Sequence, residues 1–450
     1  MDRVRAGRVG KAGAVVIGFA GLSHLGINYS LATAAKGFEV VAFHPESRQV
    51  AALRRGKFPV EEPGLAELHR KCQGRIRYTA KAGALSGCEL VFVSLDVQTD
   101  GSNRSDTTQL LALIHQVAPH IDRGATLVLL SQVSPGFTRK LREDLLRSSK
   151  IGKIFYQVET LIFGRAVERA LRPERYMVGL ADPAEPLPRC FRRWHESFGC
   201  PVLKMRYESA ELAKIAINFF LVSSVSTTNT LAEVCENLGA DWNEISPALR
   251  LDARIGPKAY LTPGLGIAGG NLERDLVTVK RLAKGGRLDT GVIDAWQRNS
   301  AHRKRWTSAT LRRALARRGC RIKGAIVGVL GLAYKESTHS TKNSPALEFI
   351  AGVPECRVQA YDPVVKLRSG PRGRFRRVRS PLAACRGAVA MVIPTPWPEF
   401  RGLDLEKIRG VMAGAVILDP FGLLNAARAT ALGFDYYRLG APGQNSSCSS

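Results

Sequence analysis

The sequence predicts an α/β protein with two doubly wound parallel sheets joined by a long central helix. Short apolar runs alternate with helical patterns over the first part of the chain, which is typical of βαβ units. The same alternation resumes near residue 325. Between the two regions, a turn-free helical pattern runs from Glu211 to about Leu238, and we expect this helix to form a central spine and a dimer contact.

The first domain, residues 1–205, is predicted from apolar runs of strand length. A helical pattern at 31–37 follows the first run and ends at Gly37, a residue that favours helix termination. The predicted strands are AVVIGFA (14–20), EVVAF (39–43), ELVFVSL (89–95) and ATLVLLS (125–131).

The rest of the chain divides into four predicted segments. Residues 206–300 form a central helical domain, 301–324 a basic connecting helix, and 325–440 a second α/β domain. The tail, 441–450, is predicted to be disordered because it is short, polar and rich in serine. The strands of the second α/β domain are predicted within 325–334, 357–363, 388–395 and 415–420.

The composition is that of a globular protein, with 45% hydrophobic and 23% charged residues in a chain of 450. Its nine cysteines are scattered singly, which argues against a zinc site or disulfide framework and suits a reducing cytoplasm. We therefore predict no metal site. Residues 12–35 carry no charge, but their glycines and polar residues fit a strand, turn and helix better than a membrane span. The basic N-terminus shows no cleavage site typical of a signal peptide.

The formal net charge of +27 has two interpretations. An acidic partner such as nucleic acid, a membrane surface or a phosphorylated ligand would explain it. An arginine-rich solvated surface also explains it, because arginine is spread along the chain with only a moderate concentration at 302–324. No RNA-binding aromatic motif or helix-turn-helix pattern accompanies the charge. We favour the solvated surface and predict no nucleic-acid partner.

A glycine-rich turn follows the first predicted strand. Gly21 and Gly26 occupy the outer positions of a Rossmann-like G-x-G-x-x-G turn, while Ser23 replaces its middle glycine. Such a turn brings backbone amides and a helix N-terminus to a pyrophosphate, and the Ser23 hydroxyl could donate to a phosphate. The acidic residue expected after the second strand is His44, although Glu46 could substitute for it. A degenerate turn of this kind is a weak signal taken alone.

Further motifs carry a more specific resemblance. Together and in this order, they make the chain similar to the UDP-glucose/GDP-mannose dehydrogenase family over about 14–440. The motifs are FPVEEPGLAEL (58–68), ELAKIAINFFL (211–221), LAEVCENLGAD (231–241), DARIG (252–256), LAYKEST and NSPAL (332–347), AYDP (360–363) and TPWPEFRGLDLEKI (395–408).

The resemblance implies NAD as cofactor and oxidation of the C6 alcohol of a nucleotide sugar. In the family, a cysteine thiolate adds to the intermediate aldehyde, which is then oxidised a second time and released as a carboxylate. In the matching segment PGLGIAGGNLERD (263–275), that cysteine falls on Asn271, and no shift of register supplies a thiol. An amide is not a nucleophile because its nitrogen lone pair is delocalised, so the covalent route is predicted to be closed.

The resemblance also implies roles for other residues. Lys214 and Asn218, four residues apart on one helix face, would act with Asp275 to hold water and stabilise an oxyanion. Taken singly, each has a structural interpretation, such as a helix-surface lysine or a helix-capping Asp275. The implied catalytic residues are Glu159, Lys214, Asn218, Asn271 and Asp275; the cofactor-binding residues are Gly21, Ser23, Leu25, Gly26, His44, Gln132 and Arg274; the substrate-binding residues are Leu161, Arg254, Tyr260, Gly266 and Lys335.

Three hypotheses remain from the sequence. The leading one is a cytoplasmic, homodimeric oxidoreductase that performs one hydride transfer and stops. The alternative is a catalytically silent nucleotide-sugar-binding homologue, because Ser23, His44, Gln132, Phe163 and Phe421 all depart from the family pattern. A third is a four-electron oxidation through a hydrated aldehyde.

Overall fold

A computed structural model of the chain describes residues 15–148, 151–286, 288–367 and 375–444. Contacts divide the chain into two compact units, Met1–Ala216 and Ile217–Ser450. One helix, α8 (Tyr207–Leu238), begins in the first unit and ends in the second.

The first unit is built on an eight-stranded sheet with the order β10-β9-β8-β7-β4-β1-β2-β3. Only the β8–β9 pair is antiparallel in this sheet. The small β5–β6 pair forms a separate antiparallel ribbon. The strands are β1 (Val16–Ala20), β2 (Glu39–Phe43), β3 (Ile76–Thr79), β4 (Leu90–Val93), β5 (Gln98–Thr99), β6 (Ser105–Asp106), β7 (Thr126–Leu129), β8 (Lys153–Gln157), β9 (Tyr176–Leu180) and β10 (Val202–Arg206).

Within the described residues, seven α-helices lie between these strands. The first, α1, is buried along nearly its whole length, which explains why the chain from 15 to 35 carries no charged residue. The helices are α1 (His24–Ala35), α2 (Ser47–Arg54), α3 (Leu65–Cys72), α4 (Thr108–Val117), α5 (Phe137–Ser148), α6 (Ala166–Leu171) and α7 (Arg189–Glu196).

The second unit contains the remaining helices and a six-stranded, all-parallel sheet with the order β13-β12-β11-β14-β15-β16. Together with the first sheet, it confirms the predicted α/β class. The elements are α9 (Trp242–Leu251), α10 (Asn271–Gly286), α11 (Gly291–Lys304), α12 (Trp306–Arg317), β11 (Ile326–Leu330), α13 (Pro345–Gly352), β12 (Arg357–Tyr361), β13 (Phe375–Arg377), α14 (Pro381–Cys385), β14 (Ala390–Val392), α15 (Leu405–Val411), β15 (Val416–Leu418), α16 (Ala426–Ala431) and β16 (Asp435–Tyr437).

Two predicted segments differ from the structure. The basic segment 301–324 is not one connecting helix, because α11 ends at Lys304 and α12 begins at Trp306. The two helices have different packing partners. In α11, the Ser300 hydroxyl accepts a hydrogen bond from the Ile267 amide, whereas α12 packs in the core of the second sheet. In the tail predicted to be disordered, Gln444 pairs with Tyr436 through two backbone hydrogen bonds of 2.8 and 2.9 Å. Residues 445–450 lie outside the described residues.

Helix α8 is the one helix of the described residues that is long and apolar enough to cross a membrane, by length and composition alone. The same helix carries a series of large apolar side chains that are exposed in the single chain. These residues are Leu212, Phe220, Leu231, Val234 and Leu238.

A buried aromatic cluster stabilises one side of the first sheet. His195 packs against Phe191, Trp194 and Tyr176, and its Nε2 lies 2.8 Å from the Gln157 side-chain oxygen. Burial lowers the pKa of His195 to about 3. Since the unfolded chain has the ordinary pKa near 6.5, the neutral ring stabilises the fold above that pH. This stabilisation is lost progressively as the pH falls from 6.5 towards 3.

We predict that His195→Gln weakens the acid sensitivity of the first unit. Between pH 7 and pH 4.5, the wild type should lose about 2–3 kcal/mol more free energy of unfolding than the variant. Urea unfolding at both pH values measures the difference. The control is His115→Gln, which removes an exposed histidine of the same unit and leaves the buried aromatic cluster intact. Equal losses in His195→Gln and the wild type would contradict the prediction.

Candidate functional site

The turn after β1 has the geometry that a dinucleotide site needs. Gly21 has a φ of +93°, which favours glycine, and its backbone carbonyl packs against the first turn of α1. A Cβ at Gly26 would lie 1.9 Å from the Gly21 oxygen, so only glycine fits there. Gly21 therefore allows the tight turn and Gly26 allows α1 to pack closely on it, as the outer glycines of a dinucleotide-binding turn do.

The middle position of the turn, Ser23, is engaged within the protein. Its hydroxyl donates to the Ser94 carbonyl at 3.3 Å and accepts a hydrogen bond from the Asp96 amide at 2.9 Å. The Asp96 carboxylate in turn accepts a hydrogen bond of 3.2 Å from the Leu25 amide, in the first turn of α1. Donation from Ser23 to a phosphate stays a prediction.

His44 lies at the end of β2 and is buried. Burial lowers its pKa below the usual range, and its Nδ1 accepts a hydrogen bond of 3.2 Å from the Glu46 amide. With Nδ1 as the acceptor, the neutral ring carries its proton on Nε2, which can donate to a ribose hydroxyl. Glu46 itself is exposed and begins α2 as its N-cap.

The segment after β7 holds Gln132, which is buried. The end of this segment is fixed by the carboxylate of Glu211, which accepts hydrogen bonds from the Gly136 amide at 2.6 Å and the Thr138 amide at 2.8 Å. Burial raises the pKa of Glu211, although these amide donors act in the opposite direction. Gln132 thus lies in a loop held at the carboxyl edge of the sheet, where ligands bind in doubly wound folds.

Glu159 follows β8 at the same edge of the sheet. Its Oε1 lies 2.8 Å from Nζ of Lys214, with both side chains mostly buried, and its Oε2 accepts a hydrogen bond of 2.9 Å from the Leu161 amide. The structure therefore brings together two residues predicted to be catalytic. Leu161, predicted to bind substrate, fixes the orientation of the Glu159 carboxylate through its backbone.

A buried hydrogen bond between His24 and Glu62 supports the start of α1. His24 lies 2.8 Å from Glu62, and its ring stacks on Phe163 with a centroid separation of 4.2 Å. Burial acts to raise the pKa of Glu62, but hydrogen bonds from His24, Gly164 and Ala166 outweigh burial and hold the pKa below its usual range. Phe163, a departure from the family pattern, thus has a packing role beside this pair.

In the second unit, Asn218 and Asp275 are in direct contact. The Asn218 amide donates to Oδ2 of Asp275 at 2.5 Å, and Nε of Arg274 lies 3.2 Å from Oδ1 of the same carboxylate. All three side chains are buried, and Asp275 lies inside α10 rather than capping it. Asn271 is exposed at the first residue of α10, four positions and so about one turn before Asp275.

The glycine-rich loop before Asn271 is fixed by close contacts. A Cβ at Gly266 would lie 2.6 Å from the Ser300 carbonyl, and one at Gly269 would lie 2.8 Å from the Tyr334 ring. Asn343 donates to the Gly269 carbonyl at 2.7 Å and also binds Glu273, while Lys304 lies 3.0 Å from Glu273. Gly266 therefore shapes the loop through its small size, and the loop orients the start of α10.

The other residues predicted to bind substrate lie in different surroundings. The Arg254 side chain is 88% exposed and binds Asp252 through two hydrogen bonds of 3.0 and 2.6 Å. Tyr260 is also exposed, whereas Lys335 is partly buried in the loop after β11. This loop contains Ser337 and Asn343 at positive φ, a conformation that costs free energy for non-glycine residues.

The thiols nearest to Asn271 in sequence, those of Cys235 and Cys320, pack into hydrophobic clusters. Cys235 contacts the cluster of Trp242 and Leu261, and Cys320 packs against the core of the second sheet. Burial raises the pKa of Cys235, which keeps this thiol protonated near neutral pH. A buried, protonated thiol is a poor nucleophile.

The basic segment at 302–324 is partly neutralised inside the second unit. Arg303 is buried and binds Glu236, Arg312 lies 2.5 Å from Glu355, and Arg318 lies 2.6 Å from Asp435. These ion pairs give three of the arginines a structural role. The interpretation of the remaining charge as a solvated surface stays a prediction.

Three residues of the site were missed by the sequence analysis. Asp96 directly follows the predicted strand 89–95, so its place at the carboxyl end of a parallel strand was a usable signal. Glu62 and Asn343 lie inside motifs that carry the family resemblance, but their partners, His24 and Gly269, are distant in sequence.

Comparison with protein-family models gives three matches in chain order. Residues 15–198 match the NAD binding domain of the UDP-glucose/GDP-mannose dehydrogenase family, 208–301 match its central domain, and 328–426 match its UDP binding domain. Together they span most of the chain. The NAD binding domain contains the Gly21–Gly26 turn, whose conformation and packing fit a dinucleotide.

Curated relatives and solved structures agree with this assignment. A UDP-glucose 6-dehydrogenase of Pseudomonas aeruginosa is 29% identical over 94% of this chain and 96% of its own, and one of Bacillus subtilis (strain 168) is 27% identical over 94% and 92%. The structure of a UDP-glucose dehydrogenase from Pyrobaculum islandicum has a TM-score of 0.83 at 26% identity, with 97% of this chain and 100% of that chain covered. A UDP-D-ManNAc dehydrogenase from Pyrococcus horikoshii, at 24% identity with 95% and 99% covered and a TM-score of 0.82, shares the fold.

We predict that Gly26→Ala disrupts the dinucleotide turn. The added methyl group would meet the Gly21 carbonyl, so the free energy of unfolding should fall by about 2 kcal/mol and the NAD affinity by roughly tenfold. Thermal unfolding and calorimetric titration with NAD⁺ measure the two effects. Gly74→Ala is the matched control, because a Cβ there meets nothing within 4 Å. Similar behaviour of the two variants would refute the packing role of Gly26.

Proposed function

Because the chain belongs to the UDP-glucose/GDP-mannose dehydrogenase family, we propose that it oxidises the C6 alcohol of a nucleotide sugar with NAD and stops at the aldehyde. The names of the relatives favour a UDP-sugar, and the family also includes GDP-mannose dehydrogenases, so both sugar classes belong in a test. The UDP binding domain, matched at 328–426, supports a nucleotide-sugar ligand.

One observation supports the early stop: the position matched to the family's cysteine is Asn271. The side chain begins α10 and is exposed, so it is accessible to a ligand. Its amide has no available electron pair on nitrogen, and the nearby thiols in sequence are held in hydrophobic clusters. A covalent thioester would then have no residue on which to form.

The remaining polar groups are suited to a single oxidation. NAD⁺ would accept the hydride from C6, and the hydroxyl proton would pass to the Glu159 carboxylate directly or through water. Lys214, 2.8 Å from Glu159, would stabilise negative charge on the sugar oxygen during this step. The products are then an aldehyde, NADH and one proton.

A further contact, between Asn218 and Asp275, supports a role for these two residues in holding water. Lys214 and Asn218 project from one face of α8, since they are four residues apart. The Asp275 carboxylate orients the Asn218 amide at 2.5 Å, and Arg274 balances its charge. We assign Asn218 and Asp275 to holding a water, the role that the family resemblance implies for them. Arg274 stays a predicted cofactor contact.

A silent binding protein is the second candidate. Two observations favour it. The Asp96 carboxylate accepts a hydrogen bond from an amide in the first turn of α1. Phe163, which replaces a glutamate of the family pattern, stacks on His24. Such a protein would bind a nucleotide sugar without turnover. Sugar-dependent formation of NADH would exclude it.

We further propose that the protein is a cytoplasmic homodimer. The exposed apolar residues of α8 would be covered by the same helix of a second copy, which removes them from water. The exposed Arg254 would be available to a ligand of that second copy. This arrangement accounts for the apolar length of α8 without a membrane.

We predict that wild-type protein with NAD⁺ and the best substrate from a panel of UDP-, GDP- and dTDP-sugars yields one NADH per sugar and an aldehyde. Asn271→Cys should raise the yield towards two NADH and give a uronate, because a thiol restores the covalent stage. Absorbance at the NADH band and the product mass measure both quantities.

The matched control is Asn271→Ser, whose neutral hydroxyl should leave the yield at one NADH. Two NADH and a uronate from the wild type would refute the early stop. If the wild type gave two NADH and a uronate but no thioester could be trapped, the four-electron oxidation through a hydrated aldehyde would replace the proposed single oxidation. Sugar binding without any NADH would support the silent protein.

We predict that Phe220→Glu separates the dimer. Phe220 is 76% exposed in the single chain, so a charge there would be buried and unpaired in the proposed interface. Light scattering should show half the mass of the wild type at micromolar concentration. Leu146→Glu replaces an exposed apolar residue of α5 and should leave the mass unchanged. A wild-type monomer, or an unchanged mass in Phe220→Glu, would oppose the interface.

A further inference from the structure

The first turn of α1 carries a carboxylate where a dinucleotide-binding helix receives its pyrophosphate. We propose that Asp96 is an affinity-determining residue of the cofactor site, which binds the amino end of α1 in the free protein and must leave it when NAD binds. The inference rests on the family's NAD binding domain and on contacts within the first unit. It is independent of whether oxidation stops at the aldehyde.

Helix geometry explains why this position matters. The first four amides of a helix have no partner within the helix, and they point towards any anion at its amino end. Leu25 is the second residue of α1, and its amide donates to Oδ2 of Asp96 at 3.2 Å. Phosphate oxygens of a bound dinucleotide require the same group of amides. The Leu25 amide that donates to the carboxylate is lost to a pyrophosphate, and the like charges of the two anions repel.

Asp96 is held at this position by the replacement at the middle of the turn. The Asp96 amide donates to the Ser23 hydroxyl at 2.9 Å, and that hydroxyl donates to the Ser94 carbonyl at 3.3 Å. A glycine at residue 23 would provide neither contact. We call these contacts of Ser23, Asp96 and Leu25 the Ser23–Asp96 latch.

The second unit shows what a permanent version of this contact looks like. Asp362 is fully buried at the end of β12, and its carboxylate accepts hydrogen bonds from the Leu332 amide at 2.6 Å and the Ala333 amide at 3.1 Å. The Trp397 indole also donates to it at 3.1 Å. Asp96 is only partly buried. The Asp96 contact is therefore the more easily broken of the two.

The latch sets an energetic condition on cofactor binding. The latch must open before the pyrophosphate can bind. The apparent affinity for NAD is therefore the intrinsic affinity multiplied by the fraction of molecules whose latch is open. Removing the charge of Asp96, while keeping an acceptor for Leu25, should therefore increase that affinity. Asp96→Asn makes this change without altering the size of the side chain.

The test is calorimetric titration of the full-length wild type and Asp96→Asn with NAD⁺ at low salt. We expect NAD⁺ to bind Asp96→Asn about tenfold more tightly. ADP-ribose, which keeps the pyrophosphate but lacks nicotinamide, should show the same gain. Asp106→Asn is the matched control, since it removes one charge from an exposed carboxylate that caps Thr108 at 3.0 Å. It should bind NAD⁺ as the wild type does.

Equal or weaker binding by Asp96→Asn, with an unchanged unfolding temperature, would overturn the proposal. Weaker binding would identify Asp96 as a cofactor ligand. Failure of both proteins to bind would show that Asp96 is not what limits affinity. Equal gains in Asp96→Asn and Asp106→Asn would reduce the effect to net charge. None of these readouts uses turnover, so the outcome is separate from that of the proposed reaction.

Discussion

The parallel strands of the first unit end at the same edge of the sheet, and this shared edge is where the functional side chains lie. The turn after β1, His44 after β2, Asp96 after β4, Gln132 after β7 and Glu159 after β8 all follow strands that run in the same direction. Every connection in such a sheet must return to the opposite edge, so the carboxyl ends collect irregular backbone with polar side chains. Chemistry at this edge can change through single residues, while the buried strands stay the same.

Much of the fold could be predicted because it depends on local apolar patterns. The strand 39–43 was predicted at its observed bounds, and the runs 14–20, 89–95 and 125–131 contain β1, β4 and β7. The runs exceed the strands because apolar residues beyond a strand can still pack in the core, as Leu130 does. The connecting helix was predicted as one element, but the chain forms α11 and α12 there. The break could not be predicted, because the basic residues are continuous in sequence while the two helices pack against different parts of the second unit.

The site could be predicted only as far as residue types carry roles. Lys214 with Glu159 and Asn218 with Asp275 were named in advance, but their pairing depends on tertiary contacts. The engagement of Ser23 was not foreseeable, because Asp96 is 73 residues away. These misses share a cause: a hydrogen bond between distant segments leaves no periodic signal in the chain.

The two α/β units illustrate how one turn can serve different ends. In the second, the fully buried Asp362 carboxylate accepts hydrogen bonds from the amides of Leu332 and Ala333 after β11. In the first, Gly21 and Gly26 keep the backbone open at the corresponding turn. There, the partly buried Asp96 carboxylate binds the turn reversibly, and this links the replacement at Ser23 to Asp96.

The short return of the chain after β16 has a consequence for self-association. β16 is the outermost strand of the second sheet, and an unprotected outer strand offers its backbone groups to strands of other molecules. Gln444 forms hydrogen bonds with both the amide and the carbonyl of Tyr436, the groups with which a strand of another molecule would pair. Gln444 thereby protects the middle of this edge strand from pairing with another molecule, and proteolysis before Gln444 would remove that protection.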